Sequence, residues 1–322
     1  MNPKKTFLLN FLKPIIELEY ELEKLNSVSN NSFPNIKNQL NLIKLSLLQI
    51  KKDIFSSLTP LQRLNLVRQS DRPTTLDYIS LIMDNWFELH GDRGGTDDPA
   101  LVVGIGKLSS QTVVFLGHQR GKDTKDNVVR NFGMASPGGY RKALRIMEHA
   151  NKFQLPILTF IDTPGAWAGI EAEKLGQGEA IAVNLKQMFS FDVPIICTII
   201  GEGGSGGALG IGVADKIFMF QYAVYTVATP EACAAILWKD SKKSLVAAES
   251  LKITSSDLKA LDIIDDIIEE PLGGSQANPL LASVTLKSKL INELGFLQKL
   301  RRKEMKELRY EKFRKIGAFY EN

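Results

Sequence analysis

The stretch Gly201-Glu-Gly-Gly-Ser-Gly-Gly-Ala-Leu-Gly210 decides how the rest of the chain is read. It follows Pro194-Ile-Ile-Cys-Thr-Ile-Ile200, an apolar run rich in β-branched residues, and leads into a small-residue segment ending at Ala214-Asp215. The pattern predicts a strand, a glycine turn and a buried helix. Gly206 and Gly207 have no side chains to shield their amides, so at a helix start both N–H groups can meet an anionic ligand atom.

The same strand-then-helix pattern recurs on either side. Pro156 to Ile161 feeds Asp162-Thr-Pro-Gly-Ala-Trp-Ala-Gly169 and a helix through Phe189, and Lys216 to Val227 feeds a helix near Pro230 to Trp238. Apolar strands alternating with helices imply a parallel sheet covered on both faces, with ligands at the carboxyl ends of its strands. Both glycine-bearing turns lie at such ends.

Further upstream, Ala100 to Leu108 and Thr112 to Leu116 read as a β-hairpin. Ser136-Pro-Gly-Gly139 reads as a turn before a helix from Tyr140 to Phe153. Thr74-Thr-Leu-Asp77 has the form of a capping box opening a helix that contains Trp86 and Phe87. The first part of the chain has helical spacing at Ile15, Leu18, Leu22 and Leu25, a linker from Asn26 to Pro34, and a second helix over about Ile36 to Ile54. A last helix, with a solvated basic face, is expected from Pro279 to Ile316. The resulting division is a helical arm and linker over 1–38, a central domain over 39–293 and a basic C-terminal helix over 294–322.

Composition narrows the function. A formal net charge of +4 on 322 residues is too small to make nucleic acid the main partner. No apolar run is long enough to span a bilayer, and the start lacks a signal-peptide core. Cys197 and Cys233 both sit in apolar surroundings, which points to reduced thiols in a reducing compartment and to no metal site in this chain.

Three familiar motifs overlap in the central stretch, and each can be tested. Gly201-Glu-Gly-Gly-Ser-Gly206 has the dinucleotide spacing, but the ribose-binding acid expected about 20 residues on is missing from Ala223-Val-Tyr-Thr-Val-Ala228. Gly203-Gly-Ser-Gly-Gly207 has the nucleophile-elbow spacing. However, His90, His118 and His149 all precede Ser205, which excludes a hydrolase triad in that chain order. A phosphate-binding P-loop fails because Gly207 and Ala208 stand where Lys and Ser or Thr are needed.

What remains is a turn used for its backbone, holding an oxygen on which negative charge develops. A turn that only lets helix and strand pack closely accounts for the same glycines. Asp162-Thr-Pro-Gly-Ala166 adds a second bared turn, with Asp162 read as its cap, so two sets of exposed amides can face one crevice. No neighbouring side chain announces a nucleophile or a metal ligand.

Six segments together resemble the acetyl-CoA carboxylase carboxyltransferase α-subunit family of the bacterial and plastid multisubunit type. They are Gly117-His-Gln-Arg-Gly121, Arg130-Asn-Phe-Gly-Met134, Gly139-Tyr-Arg-Lys-Ala143, Phe160-Ile-Asp-Thr-Pro-Gly-Ala166, the opening glycines, and Glu270-Pro-Leu-Gly-Gly274. The resemblance implies an α/β, crotonase-like fold of repeated ββα units with helical N- and C-terminal extensions. It implies transfer of a carboxyl group from N-carboxybiotin to acetyl-CoA, giving malonyl-CoA for fatty-acid synthesis, in an α2β2 assembly with a β subunit.

On this resemblance the amides of Gly206 and Gly207 stabilise the ureido oxygen of biotin, and Gly165 and Ala166 line the same crevice. Biotin arrives on the biotin carboxyl carrier protein, loaded by biotin carboxylase, and zinc belongs to β. The compartment is a plastid stroma or a bacterial cytoplasm. Lys122, Lys125 and Arg130 form a basic loop that could meet coenzyme A phosphates or acidic groups on a partner, though a solvated loop accounts for it more simply. A self-sufficient crotonase-type hydratase or isomerase is the alternative, but the catalytic Glu those enzymes commonly carry after the glycines is absent from Ala208-Leu-Gly-Ile-Gly212. A non-catalytic docking scaffold is the third reading.

Overall fold

The computed structural model describes residues 9–28 and 34–317. Two helices open the chain, α1 (Lys13–Val28) and α2 (Pro34–Ser56), so most of the expected linker lies outside the described residues. They do not form a detached arm. Ile15, Leu47 and Phe55 share a small apolar core with Leu66 and Tyr222, and burial of that kind is what stabilises a helix in water. The division at 38/39 falls inside α2.

Helices α3 (Pro60–Val67) and α4 (Thr75–Ile82) follow. The Thr74 capping box is present, but α4 stops at Met83 and does not contain Trp86 or Phe87. Those two residues instead lie on β1 (Asn85–Leu89), paired antiparallel with β2 (Leu101–Leu108). Alternation wins there: Trp86 packs edge-on against Phe115 at 6.0 Å while Phe87 points out to solvent.

The expected hairpin is formed by β2 and β3 (Gln111–His118), closed at Leu108 and Gln111. β4 (Ile157–Thr163), β5 (Ile195–Gly204), β6 (Lys216–Phe220) and β8 (Asp266–Ile268) continue from β3 in parallel, in the order β1-β2-β3-β4-β5-β6-β8. The expected single strand over Lys216 to Val227 is thus two. A turn at Phe220–Ala223 separates β6 from β7 (Val224–Thr226), which crosses to pair with the far end of β5 at Glu202–Gly204. Every residue of β4 and β5 is buried, which explains why both read as unbroken apolar runs.

The remaining helices are α5 (Thr124–Val129), α6 (Pro137–Phe153), α7 (Ile170–Lys174), α8 (Gln177–Ser190), α9 (Ser205–Leu209), α10 (Pro230–Trp238), α11 (Ser244–Ser250), α12 (Ser255–Ala260), α13 (Pro279–Leu297) and α14 (Arg302–Arg314). Pro137, Gly138 and Gly139 are the first turn of α6 and not a separate turn. Gly139 is a glycine because a Cβ there would stand 2.6 Å from Oδ2 of Asp98, the carboxylate that accepts the Ser136 amide.

The last helix is likewise two. The chain turns between α13 and α14 so that Arg309 can enter the core beside α8, and the division at 293/294 falls inside α13.

Candidate functional site at the carboxyl edge of β4 and β5

β5 runs on through Gly201, Gly203 and Gly204, so the turn is narrower than the glycine-rich stretch suggests and lies between Gly204 and Ser205. These glycines serve close packing. A Cβ on Gly204 would lie closer than 3.0 Å to the Pro164 carbonyl, and one on Gly201 equally close to the Asp162 carboxylate. The neighbouring turn is fixed by Thr163, whose Oγ accepts from the Gly165 amide at 3.1 Å and donates to the Gly165 carbonyl at 2.6 Å.

The two turns meet. A Cβ on Gly207 would lie closer than 3.0 Å to the backbone of Gly165 and Ala166. Gly206 differs: the nearest atom to a Cβ built there is Cδ1 of Ile181 at 3.8 Å. A Cβ on Gly165 would meet only the Cβ of Ser205, at 3.9 Å. Four residues read as site residues, Gly165, Ala166, Gly206 and Gly207, therefore lie where the two turns meet. Gly207 makes the contact between the turns, and the space beside Gly206 stays open.

α9 is a single turn, and its first amides, at Ser205, Gly206 and Gly207, have no acceptor within the helix. So short a helix is not self-sustaining, and bonds to its surroundings and to the following residue hold it. The Tyr140 hydroxyl donates to the Gly207 carbonyl at 3.0 Å, the Gly210 amide donates to the Gly206 carbonyl at 3.0 Å, and Nδ2 of Asn184 donates to the Gly210 carbonyl at 3.0 Å. Gly210 makes room for the Tyr140 ring, which a Cβ would approach to 2.5 Å. His118 lies edge-on to Tyr140 at 6.5 Å. Burial first and the Arg120 cation second push its pKa down to about 3, so it is neutral and holds no charge under the turn.

A ring of charges that the sequence did not reveal braces the strand ends. Glu202 accepts from Arg68 at 2.6 and 3.0 Å and from Arg120 at 2.8 Å. Burial opposes its ionisation, but the Arg68 hydrogen bond and the Arg120 charge keep its carboxyl below the usual range. Arg72 pairs in bidentate fashion with Glu270 at 2.9 and 3.0 Å and also donates to the Ile200 carbonyl.

Asp162 does not cap its own turn. It lies in β4, accepts from the Glu202 amide at 3.0 Å, and stands 3.1 Å from Nε of Arg120, a distance fit for an ion pair without hydrogen-bond alignment. Burial outweighs that cation and pushes the Asp162 pKa up. A cavity of about 280 Å³ opens among Arg68, Arg120, Phe132, Asp162, Pro164 and Glu202.

Lys122 pairs with Asp77, and Arg130 with Asp126 and the Pro99 carbonyl. Both cysteines are free thiols, Cys197 buried and Cys233 half-buried. Among the described residues no group of three or more His, Cys, Asp or Glu converges to hold a metal ion.

The family model described as "Acetyl co-enzyme A carboxylase carboxyltransferase-like" matches residues 8–317. The acetyl-coenzyme A carboxylase carboxyl transferase subunit alpha of Antithamnion sp. is 70% identical over 322 residues, covering 100% of both chains. The chain belongs to this family. Its counterpart in Crocosphaera subtropica is 63% identical, over 100% of this chain and 97% of that protein.

More distant structures share the crotonase-like fold. Transcarboxylase 12S has a TM-score of 0.52 at 18% identity, over 66% of this chain and 41% of its own. The β subunit of P. aeruginosa geranyl-CoA carboxylase has a TM-score of 0.55 at 14% identity, over 77% and 45%. A Pseudomonas malonate decarboxylase hetero-dimer has a TM-score of 0.55 at 18% identity, over 69% and 90%.

Proposed function

We propose that this chain, as the α subunit of an acetyl-CoA carboxylase carboxyltransferase, supplies the biotin half of a site that a β subunit completes. The reaction moves a carboxyl group from N-carboxybiotin to the methyl carbon of acetyl-CoA, giving malonyl-CoA. The observation that carries this reading is the meeting of the two strand-end turns, with Gly206 open beside a Gly207 locked against Gly165.

N-carboxybiotin is a substrate here, delivered by the carrier protein, and it supplies the activated carboxyl group. As the N–C bond breaks, negative charge builds on the ureido oxygen, and in this reading the Gly206 and Gly207 amides hold it. Rigid donors in a site that excludes water stabilise such charge without reorganising. A new C–C bond forms at the acetyl methyl carbon, and the proton it loses passes to the departing biotin nitrogen. No side-chain base is therefore required, in keeping with the absence of a carboxylate in Ala208-Leu-Gly-Ile-Gly212. That absence also disfavours a self-sufficient hydratase.

The carrier protein, biotin carboxylase and an α2β2 stoichiometry belong to the same proposal, as does a plastid stroma or bacterial cytoplasm as the compartment. Relatives from plastids and cyanobacteria favour that setting. No helix among the described residues is long and apolar enough to cross a membrane.

Gly206→Ala tests the reading. The methyl group meets only Ile181 in the folded chain, and alanine is the better helix former, so the thermal midpoint should hold or rise slightly. The methyl nevertheless stands where the ligand must come within reach of the amides, and transfer in the assembled enzyme should fall about a hundredfold, as small misplacements at a reacting centre do. Transfer at the wild-type rate would count against the half-site.

A further inference from the structure

The stretch from Gly201 to Gly210 contains six glycines, yet none of them adopts a positive φ. The left-handed backbone falls on Ser205, at φ 54°. Glycine takes this conformation without steric penalty, whereas a residue with a Cβ is strained in it. The fold therefore carries a side chain at the one point of the turn where glycine is the easier choice.

Nothing among the described residues explains that side chain. Ser205 is exposed, and among the described residues its Oγ makes no hydrogen bond. Most of the other left-handed non-glycine residues sit where such a backbone is ordinary, such as Ser109 in the hairpin turn, or Gln154 and Lys239 at helix ends. Ser205 stands at a strand-to-helix junction instead. Its Cβ is 3.9 Å from the position a Cβ on Gly165 would take, between the two turns and next in sequence to the open Gly206. No histidine or carboxylate lies within hydrogen-bond reach of its hydroxyl among the described residues, so that group stays protonated and can act as a donor but not as a nucleophile.

We propose that Ser205 is a substrate-contacting residue of the carboxyl transfer. Its hydroxyl donates a hydrogen bond to an anionic oxygen of the carboxybiotin head group that the Gly206 and Gly207 amides also engage. The inference rests on the biotin half-site proposed above and adds a side chain to a set of donors otherwise drawn from backbone alone. No bond forms to Ser205 at any step.

The test uses the assembled α and β subunits and two variants. Ser205→Ala keeps the strained backbone and removes only the hydroxyl, so its thermal midpoint should match wild type while kcat/KM for transfer from carboxybiotin falls about tenfold, the usual effect of losing a hydrogen bond to a charged group. Ser205→Gly removes the hydroxyl and relieves the strain, so its midpoint should rise while transfer falls to the same degree.

A purely structural serine would not move stability and transfer in opposite directions. KM for acetyl-CoA should stay unchanged in both variants. Wild-type transfer by Ser205→Ala overturns the inference. If Gly206→Ala has lost transfer in the same assay, the half-site itself survives, and if Gly206→Ala is also fully active, the half-site fails with it.

Discussion

Replacing Gly207 with valine is expected to lower malonyl-CoA formation by about a hundredfold or more, the scale on which loss of an oxyanion donor is felt. The reason is backbone against backbone. A Cβ on Gly207 would run into the main chain of Gly165 and Ala166, closer than 3.0 Å. Neither partner can rotate away as a flexible side chain would, so the two turns must separate and the amides lose their aim. Overpacking of this kind also lowers stability, by about 1–3 kcal/mol. The measurement is the transfer rate of the assembled enzyme alongside its unfolding midpoint. Wild-type transfer with a normal midpoint would mean that the contact between the turns has no part in the chemistry.

The second large effect is on stability, far from the crevice. Arg309 on α14 is fully buried, and its guanidinium donates to Asp215 twice at 2.8 Å and to the carbonyls of Met188, Phe191 and Val193 at 2.6 to 3.0 Å. Arg309→Ala takes the guanidinium from the buried Asp215 carboxylate, leaving it the Ile195 amide as donor, and takes a donor from each of three carbonyls. Removing one member of a buried pair typically costs about 3–5 kcal/mol, and denaturant unfolding should show a loss of that size. Lys306 lies on the same helix, but its pair with Asp192 is about one-third exposed on each side. Lys306→Ala should cost at most about 1 kcal/mol. Equal effects of the two substitutions would contradict the view that α14 is anchored through Arg309.

The contrast between these two residues shows where sequence reasoning stops. In Leu300-Arg-Arg-Lys-Glu-Met-Lys-Glu-Leu-Arg309 every cation looks alike, and what singles out Arg309 is an aspartate 94 residues away. The same holds for Glu202 and Arg120. Both stood in motifs that carried the family resemblance, but their pairing spans 82 residues and leaves no local signal.

The glycine turns were legible because fully buried parallel strands are apolar without interruption, and their ends are marked by small residues. The different duties of Gly206 and Gly207 were not legible, since only the path of the Gly165 backbone past Gly207 separates them. Trp86 and Phe87 were misplaced for a related reason. A true capping box announced the helix, but nothing in it says how far the helix runs.

The central claim, that this chain holds half of a carboxyltransferase site, is tested most directly by assaying the purified α subunit for malonyl-CoA formation from acetyl-CoA and carboxybiotin, with and without the β subunit. The account predicts no transfer by α alone and transfer on adding β. Turnover by α alone would contradict it.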